Sequence, residues 1–288
     1  MPGIQHILFP IDFSERCCSA VPFVEFVANR YGARVTLLSI AQPYFYAAMG
    51  EPGAMVSIDL GELLQELKQR LEGSLTAKFP GLRVERVAEL GDPAESITGY
   101  AHENGVDLIM MPTHGYGRFR SLLLGSVTAK VLHDAKCPVW TAAHVEQAPC
   151  RDHVAWRNIL CAVDGTPNCE ALMSRAGDLA KESGATLRLV HAIPAMQGIP
   201  TRQMDREFEE SLRKGAHLVI EGLEASAGID APLCVTAGHV AETVAEEARR
   251  HAADLVVIGR GAMHEKLGRL RTHAYGIIRQ APCPVLSV

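Results

Sequence analysis

Short apolar runs alternate along the chain with stretches in which apolar residues recur at helical spacing. Residues 7–12 and 35–40 are nearly continuous apolar runs, which is typical of strands buried in a parallel sheet. Between them, Val21, Val24 and Val27 recur at the spacing of one helix face. This alternation predicts an α/β fold in which helices connect parallel strands.

The first half of the chain continues the alternation to residue 142. Its further predicted elements are a leucine-rich helix over residues 60–75, a strand over 82–88, a helix opened by Asp92 and Pro93, and strands over 108–111 and 137–142. The first helical pattern has Ser14 as its expected cap and is expected to end near Gly32, and Pro22 inside it predicts a kink or a later helix start. Residues 42–56, with two prolines and two glycines beside three aromatic side chains, predict a loop.

The pattern then occurs a second time. Residues 159–164 repeat residues 7–12 at an offset of 152 positions, and residues 254–258 match 107–111 at an offset of 147. The Cys-Pro-Val triplet at 137–139 occurs again at 283–285. We infer two homologous domains, residues 1–144 and 158–288, with a linker over residues 145–157.

Composition narrows the class of protein. An apolar content of 48% and a charged content of 21% are typical of a globular protein with a large core. The net charge of -5 gives no general attraction to nucleic acid or to an anionic membrane. The eight cysteines form no Cys-x-x-Cys pair, and the first residues do not resemble a signal peptide. We therefore expect reduced thiols and a cytoplasmic location.

A strand-loop-helix segment carries the candidate chemistry. The strand at 108–111 is followed by a loop that contains Gly115, Arg118, Arg120 and Gly125, and then by a helix with Ser126 as its expected N-cap. Such a loop can bring backbone N–H groups and a helix N-terminus onto a phosphate. The same spacing also fits an ordinary strand-to-helix loop, so the glycines leave both interpretations open.

A family likeness is carried by Phe9-Pro10-Ile11-Asp12-Phe13-Ser14, Thr113-His114-Gly115, Leu123-Leu124-Gly125-Ser126-Val127 and the two Cys-Pro-Val triplets. Through these segments the chain resembles the universal stress protein family in its tandem-domain form. Nucleotide-binding members have Gly-x-x-Gly, nine residues, and then Gly-Ser or Gly-Thr. The first domain has Pro112-x-x-Gly115, nine residues, and Gly125-Ser126. Pro112 replaces the first glycine of that motif and removes one backbone N–H.

The resemblance implies a nucleotide-binding, Rossmann-like fold in each domain: a five-stranded parallel sheet of order 3-2-1-4-5 with helices on both faces. It implies ATP across the carboxyl ends of the first, second and fourth strands. Carried over by position, the residues near adenine and ribose are Pro10, Asp12 and Ile40. Those near the phosphates are Pro112, Gly115, Gly125, Ser126 and Val127. Asp12 is also the candidate ligand for Mg²⁺, with helix capping as its alternative role, and no catalytic residue is assigned.

The second domain departs further from the family motif. Gly259 stands where Pro112 stood, and Ala262 replaces Gly115. Arg271 replaces Gly125, whereas Asp164 still matches Asp12. A Cβ at residue 262 and a long side chain at residue 271 would crowd a phosphate. This degenerate site is either vacant or changed, through Arg260 and Arg271, to take another anion.

The leading hypothesis is a cytosolic ATP-binding stress-response and signalling protein with its nucleotide in the first domain. The alternatives are a slow ATP-hydrolysing or nucleotidyl-transferring enzyme and a nucleotide-free interaction module. The chain lacks a Gly-x-x-x-x-Gly-Lys-Ser/Thr motif, which argues against a motor-type or G-protein-type NTPase. The fifth strand of each domain presents a sheet edge. In the family such strands pair with each other, so we expect the two domains of one chain to form an intramolecular pseudo-dimer. A homodimer of two such chains stays open as a further level of assembly.

Overall fold

The computed structural model describes residues 3–43, 59–75, 79–113, 124–143, 154–195, 202–260 and 270–288, with backbone only for 202–206 and 270–272. The described residues group into two compact units whose main spans are Pro2–Trp140 and Ala155–Val288. Each unit alternates strands with helices, and the strand pairs whose register the described residues define are parallel. The predicted α/β class is therefore confirmed.

The first unit has five strands in the predicted order. Its elements are β1 (His6–Pro10), α1 (Glu15–Tyr31), β2 (Arg34–Ala41), α2 (Leu60–Gly73), β3 (Val84–Leu90), α3 (Pro93–Glu103), β4 (Leu108–Pro112), α4 (Ser126–Asp134) and β5 (Val139–Ala142). The strands are ordered β3-β2-β1-β4-β5. β1 and β4 are buried along their whole lengths, because both lie inside the sheet.

The second unit repeats this topology. Its elements are β6 (Asn158–Ala162), α5 (Cys169–Ser183), β7 (Thr186–Ile193), α6 (Arg202–Ala227), β8 (Leu233–Ala237), α7 (Val240–Arg250), β9 (Leu255–Ile258), α8 (Leu270–Gln280) and β10 (Val285–Ser287). The strands are ordered β8-β7-β6-β9-β10. Numbered within the domain, this is again 3-2-1-4-5.

Local sequence signals account for the helix ends. Ser14 caps α1 by accepting a hydrogen bond from the backbone N–H of Cys17, and Gly32 ends that helix in the left-handed conformation at φ 65°. Asp92 caps α3, with Pro93 at its first position. These three ends confirm the predictions made from residue type alone.

Two boundaries differ from the prediction. α1 begins at Glu15 and includes Pro22, so the expected later start is wrong. The proline removes a single backbone hydrogen bond, and Pro22 is itself buried in the helix face, which offsets part of that loss. β5 begins at Val139 rather than at residue 137, because Pro138 has no N–H to contribute to the strand ladder.

A buried histidine lies at the amino edge of the first sheet. Nε2 of His6 is 2.8 Å from the hydroxyl of Thr36, and Nη2 of Arg34 is 3.0 Å from Nδ1 of His6. Burial, followed by the charge of Arg34, lowers the pKa of His6, while the hydrogen bond to the Asn104 carbonyl and the carboxylates of Asp107 and Glu85 oppose the shift. The folded domain therefore favours the neutral imidazole.

Candidate functional site

The candidate site lies at the carboxyl edge of the first sheet, where adjacent strands β2, β1 and β4 end. Pro10 is the last residue of β1 and pairs with Leu38 of β2. The backbone N–H of Ile11 then donates to the carbonyl of Leu38 at 2.7 Å, and the hydroxyl of Ser39 donates to the carbonyl of Ile11 at 3.0 Å. These bonds carry the chain past the strand end alongside β2 and bring Asp12 to the level of Ile40.

Pro112 ends β4, which pairs with β1 on the side away from β2. Pro10 and Pro112 are buried, whereas Asp12 and Ile40 are half-buried. The structure thus places these four predicted residues at the ends of three neighbouring strands. Parallel sheets bind ligands outside the carboxyl ends of their strands, at the point where the strand order reverses. In this sheet the order reverses at β1, because β2 and β3 lie on one side of it and β4 and β5 on the other.

Asp12 supports the start of α1. Its Oδ1 accepts a hydrogen bond from the backbone N–H of Ser14 at 3.0 Å and another from the Ser14 hydroxyl at 2.7 Å. Ser14, in turn, is the N-cap of the helix. Asp12 is therefore not itself the cap. Among the described residues, its Oδ2 accepts no hydrogen bond, which leaves that oxygen available to a ligand.

Phe13 lies between Asp12 and Ser14, and the sequence indicated no structural role for it. Its φ is 63°, in the left-handed region, which costs a non-glycine residue about 1–2 kcal/mol. Its ring packs on a cluster of Ala41, Leu63 and Leu67, and Cζ of Arg70 lies 4.2 Å from the ring centroid. This packing and the cation–π contact offset the backbone strain.

The N-terminus of α4 differs in detail from the prediction. The N-cap is Gly125, at φ -57° and ψ 143°, and no side chain caps the helix. Ser126 is instead the first helical residue and is exposed, so its predicted role as N-cap is wrong. The reason is that the Gly125 carbonyl already accepts the first helical hydrogen bond, from the N–H of Ala129 at 2.8 Å.

Two long-range contacts hold this uncapped helix end against the end of β4. The N–H of Gly125 donates to the carbonyl of Thr113 at 2.9 Å, and the hydroxyl of Thr128 donates to the carbonyl of Pro112 at 3.2 Å. The first backbone N–H groups of a helix have no intrahelical acceptor. Within the part of the chain that the structure describes, those of Ser126 and Val127 have no acceptor, and the helix dipole favours an anion there.

The rest of the predicted phosphate loop lies outside the described residues. This applies to Gly115, to His114 and to the two arginines at 118 and 120. In the second domain it applies to Ala262 and to the side chain of Arg271. The roles predicted for these residues therefore stay predictions.

The second domain keeps the same turn with different side chains. Oδ1 of Asp164 accepts hydrogen bonds from the N–H and the hydroxyl of Thr166 at 3.0 and 2.7 Å and from the thiol of Cys169 at 2.9 Å. Partial burial raises the pKa of Asp164, but these hydrogen bonds outweigh it, so the pKa is lowered. Gly165 takes the left-handed position, at φ 75°. His191 replaces Ser39, with Nδ1 2.8 Å from the carbonyl of Val163.

Metal and membrane features are limited in the described part of the chain. In those ranges, no three His, Cys, Asp or Glu side chains come close enough together to hold a metal ion. No helix in the same ranges is both long and apolar enough to cross a membrane. Asp12 is the carboxylate at the candidate site, and Mg²⁺ commonly takes one or two carboxylates together with phosphate oxygens of its ligand.

Comparison with known proteins identifies the family. The model of the universal stress protein family matches residues 3–142 and again residues 155–288. The chain belongs to the universal stress protein family. It is a tandem member, since both domains match the same model and share one strand order.

Individual universal stress proteins match one domain or both. One from Methanocaldococcus jannaschii is 30% identical over 151 residues, which cover 47% of this chain and 92% of that protein. One from Mycolicibacterium smegmatis is 25% identical over 88% of this chain and 86% of its own length. The crystal structure of one from Archaeoglobus fulgidus covers 98% of this chain and 95% of its own, with a TM-score of 0.67 and 23% identity. The two-domain organisation therefore has structural precedent in the family.

Proposed function

We propose that this universal stress protein binds ATP in its first domain, at the carboxyl edge of β1, β2 and β4, and acts as a nucleotide-dependent stress-response protein. The observation that carries the proposal is the N-terminus of α4. This helix starts at a glycine without a side-chain cap and is held to the end of β4 by the bond between Gly125 and Thr113. An uncapped helix start fixed at a topological switch point is suited to phosphate.

The proposed contacts follow from the described residues. The N–H groups of Ser126 and Val127 donate to phosphate oxygens, and Gly125 carries no side chain that competes for them. Asp12 offers Oδ2 to a ribose hydroxyl or to Mg²⁺ bound by the phosphates. The half-buried Ile40 provides an apolar surface for adenine. Pro10, Pro112 and Gly115 keep the places that the family resemblance implies.

We further propose that the second domain does not bind ATP. Its turn retains Asp164, but the sequence has arginine at the position of Gly125 and alanine at that of Gly115. By the sequence alignment, a long side chain and an added Cβ at these positions would crowd a phosphate that needs close contact with backbone N–H. The expected stoichiometry is one nucleotide per chain.

Calorimetric titration of the full chain with ATP tests both proposals, with one matched pair of variants. Asp12→Asn keeps an oxygen for Ser14 but removes the charge, and it should weaken ATP binding by about tenfold to a hundredfold, from the loss of a charged hydrogen bond. Asp164→Asn, the same change in the second domain, should leave affinity and stoichiometry unchanged. A stoichiometry of two, or equal effects of both variants, would contradict the assignment to the first domain.

The chemical state of the nucleotide decides between binding and turnover. Protein purified without added nucleotide is denatured, and the released small molecules are identified by mass spectrometry. Release of intact ATP supports the proposal, whereas ADP together with phosphate production in the titrated sample indicates hydrolysis. Absence of both binding and released nucleotide would overturn the proposal and leave an interaction module.

A further inference from the structure

Helix α6 of the second domain carries an apolar stripe that its own domain leaves exposed. We call it the α6 seam. It consists of Phe208, Ser211, Gly215, Leu218, Val219 and Gly222. Phe208 is 50% exposed, Leu218 73% and Val219 53%. A Cβ added at either glycine would meet no atom within 4 Å, so the surface above them is open.

The seam is separate from the face of α6 that packs on the sheet. Ile220 on that face is fully buried, and at about 100° per residue the seam residues lie about 100–180° away from it around the helix. In α2, the equivalent helix of the first domain, the buried Leu63, Leu67 and Leu71 are preceded instead by charged residues. These are Glu62, Glu66 and Arg70. The fold therefore does not require an apolar stripe at this place.

The spacing of the seam matches that of a helix-helix interface. Phe208, Ser211, Gly215, Leu218 and Gly222 are separated by alternating steps of three and four residues, the period of a coiled-coil seam. From residue 208 to residue 222 the helix advances about 21 Å. Small residues within the seam allow two helix backbones to approach closely. A second helix is thus the shape that fits.

The charges beside the seam identify that helix. Lys214 and Glu221 flank it on the solvent side, seven residues apart. When two copies of α6 run antiparallel with Gly215 opposite Leu218, Lys214 of each copy lies close to Glu221 of the other. In a parallel pair, Lys214 would face the apolar Val219. The pattern is therefore self-complementary for an antiparallel arrangement only.

We propose that two copies of this chain associate through antiparallel packing of their α6 seams about a two-fold axis. The proposal is independent of the nucleotide site. Within one copy, Lys214 pairs with Glu210 at 2.8 Å, and both side chains are largely exposed. Exposed pairs of this kind contribute little, so Lys214 can exchange Glu210 for Glu221 of the second copy.

Charge reversal tests the proposal. Wild-type protein, Lys214→Glu, Glu221→Lys and the double variant are compared by analytical ultracentrifugation over a wide concentration range. Each single variant places like charges opposite each other twice and should weaken the α6 association by at least about tenfold. The double variant restores both pairs and should associate like the wild type. An equimolar mixture of the two single variants should associate as well, since each then faces its opposite charge.

Two controls make the result specific. Lys181→Glu reverses an exposed charge on α5, away from the seam, and should leave the association unchanged, and circular dichroism checks that every variant folds. Association through any other surface would remain in all variants and would add a constant background. Three outcomes would each overturn the proposal. They are wild-type protein that shows no charge-sensitive association, single variants that associate as strongly as the wild type, and a mixture of the single variants that does not associate.

Discussion

Replacing Gly125 with aspartate should weaken ATP binding in the first domain without destabilising its fold. Gly125 is the N-cap of α4 at φ -57° and ψ 143°, a conformation that any L-residue adopts. Asp92 occupies the same position in α3 at φ -76° and accepts two backbone N–H groups. An aspartate at position 125 would cap α4 in the same way. By analogy with Asp92, its carboxylate would take the N–H of Val127, one of the two groups proposed for phosphate, together with that of Thr128.

The magnitudes favour a clean separation of binding from stability. Losing one charge-assisted hydrogen bond costs about 1.5–3 kcal/mol, which is about tenfold to a hundredfold in affinity. The carboxylate also repels the phosphates. For the helix itself, exchanging glycine for aspartate at the N-cap gains a few tenths of a kcal/mol, and the dipole adds about 0.3–1 kcal/mol. Stability should therefore be unchanged or slightly increased.

Calorimetry with ATP measures the first effect and urea unfolding measures the second. The matched control is His239→Asp, because His239 is the exposed N-cap of α7 in the second domain and makes no side-chain cap hydrogen bond. It should raise stability by a similar amount and leave ATP affinity unchanged. ATP binding of wild-type strength by Gly125→Asp would refute the role of the α4 N-terminus.

Three further predictions concern the stability of the fold and its pH dependence. Gly165→Ala should destabilise the second domain by about 1–2 kcal/mol in urea unfolding, because residue 165 has φ 75°, which strains any residue with a Cβ. The added Cβ itself would make only an ordinary van der Waals contact with His191, and an unchanged unfolding midpoint would contradict this prediction. The lowered pKa of His6, caused by burial and Arg34, means that the unfolded chain binds the proton more readily, so stability should fall as pH drops below the ordinary histidine pKa. His6→Gln should reduce that pH dependence, and an identical profile would refute it. Cys169→Ala removes a donor to Asp164 and should raise its pKa towards the ordinary value in an NMR titration; the stability contributed by this carboxylate is present above the ordinary aspartate pKa and is lost as pH falls below it.

Residue type alone predicted the elements whose ends are set locally. The cap residues of α1 and α3 lie next to the helices they begin, so short-range patterns are sufficient. The strand order came from the family resemblance rather than from periodicity. The error at Ser126 has a local cause too, since a serine beside a glycine is the commoner cap and nothing in the segment itself reveals that Gly125 takes that place.

Features that depend on distant neighbours could not be predicted in this way. Phe13 holds a left-handed backbone because Leu63, Leu67 and Arg70 pack against its ring, and those residues come from a helix some fifty positions later. Gly125 is fixed by the carbonyl of Thr113, just past the end of β4, and residue type does not reveal this bond. Phe13 and its partners on α2 lie too far apart for one short sequence window to contain them.

The sequence by itself determined the tandem α/β organisation, because burial of alternating strands and helices imposes a pattern that is visible along the chain and repeats at a constant offset. The tertiary structure alone decided that Gly125 rather than Ser126 is the N-cap of α4, and which apolar residues of α6 are covered. Capping and coverage depend on the three-dimensional neighbours of a residue. Phe208 and Ile220 are both apolar and both helical, yet one is half exposed and the other fully buried.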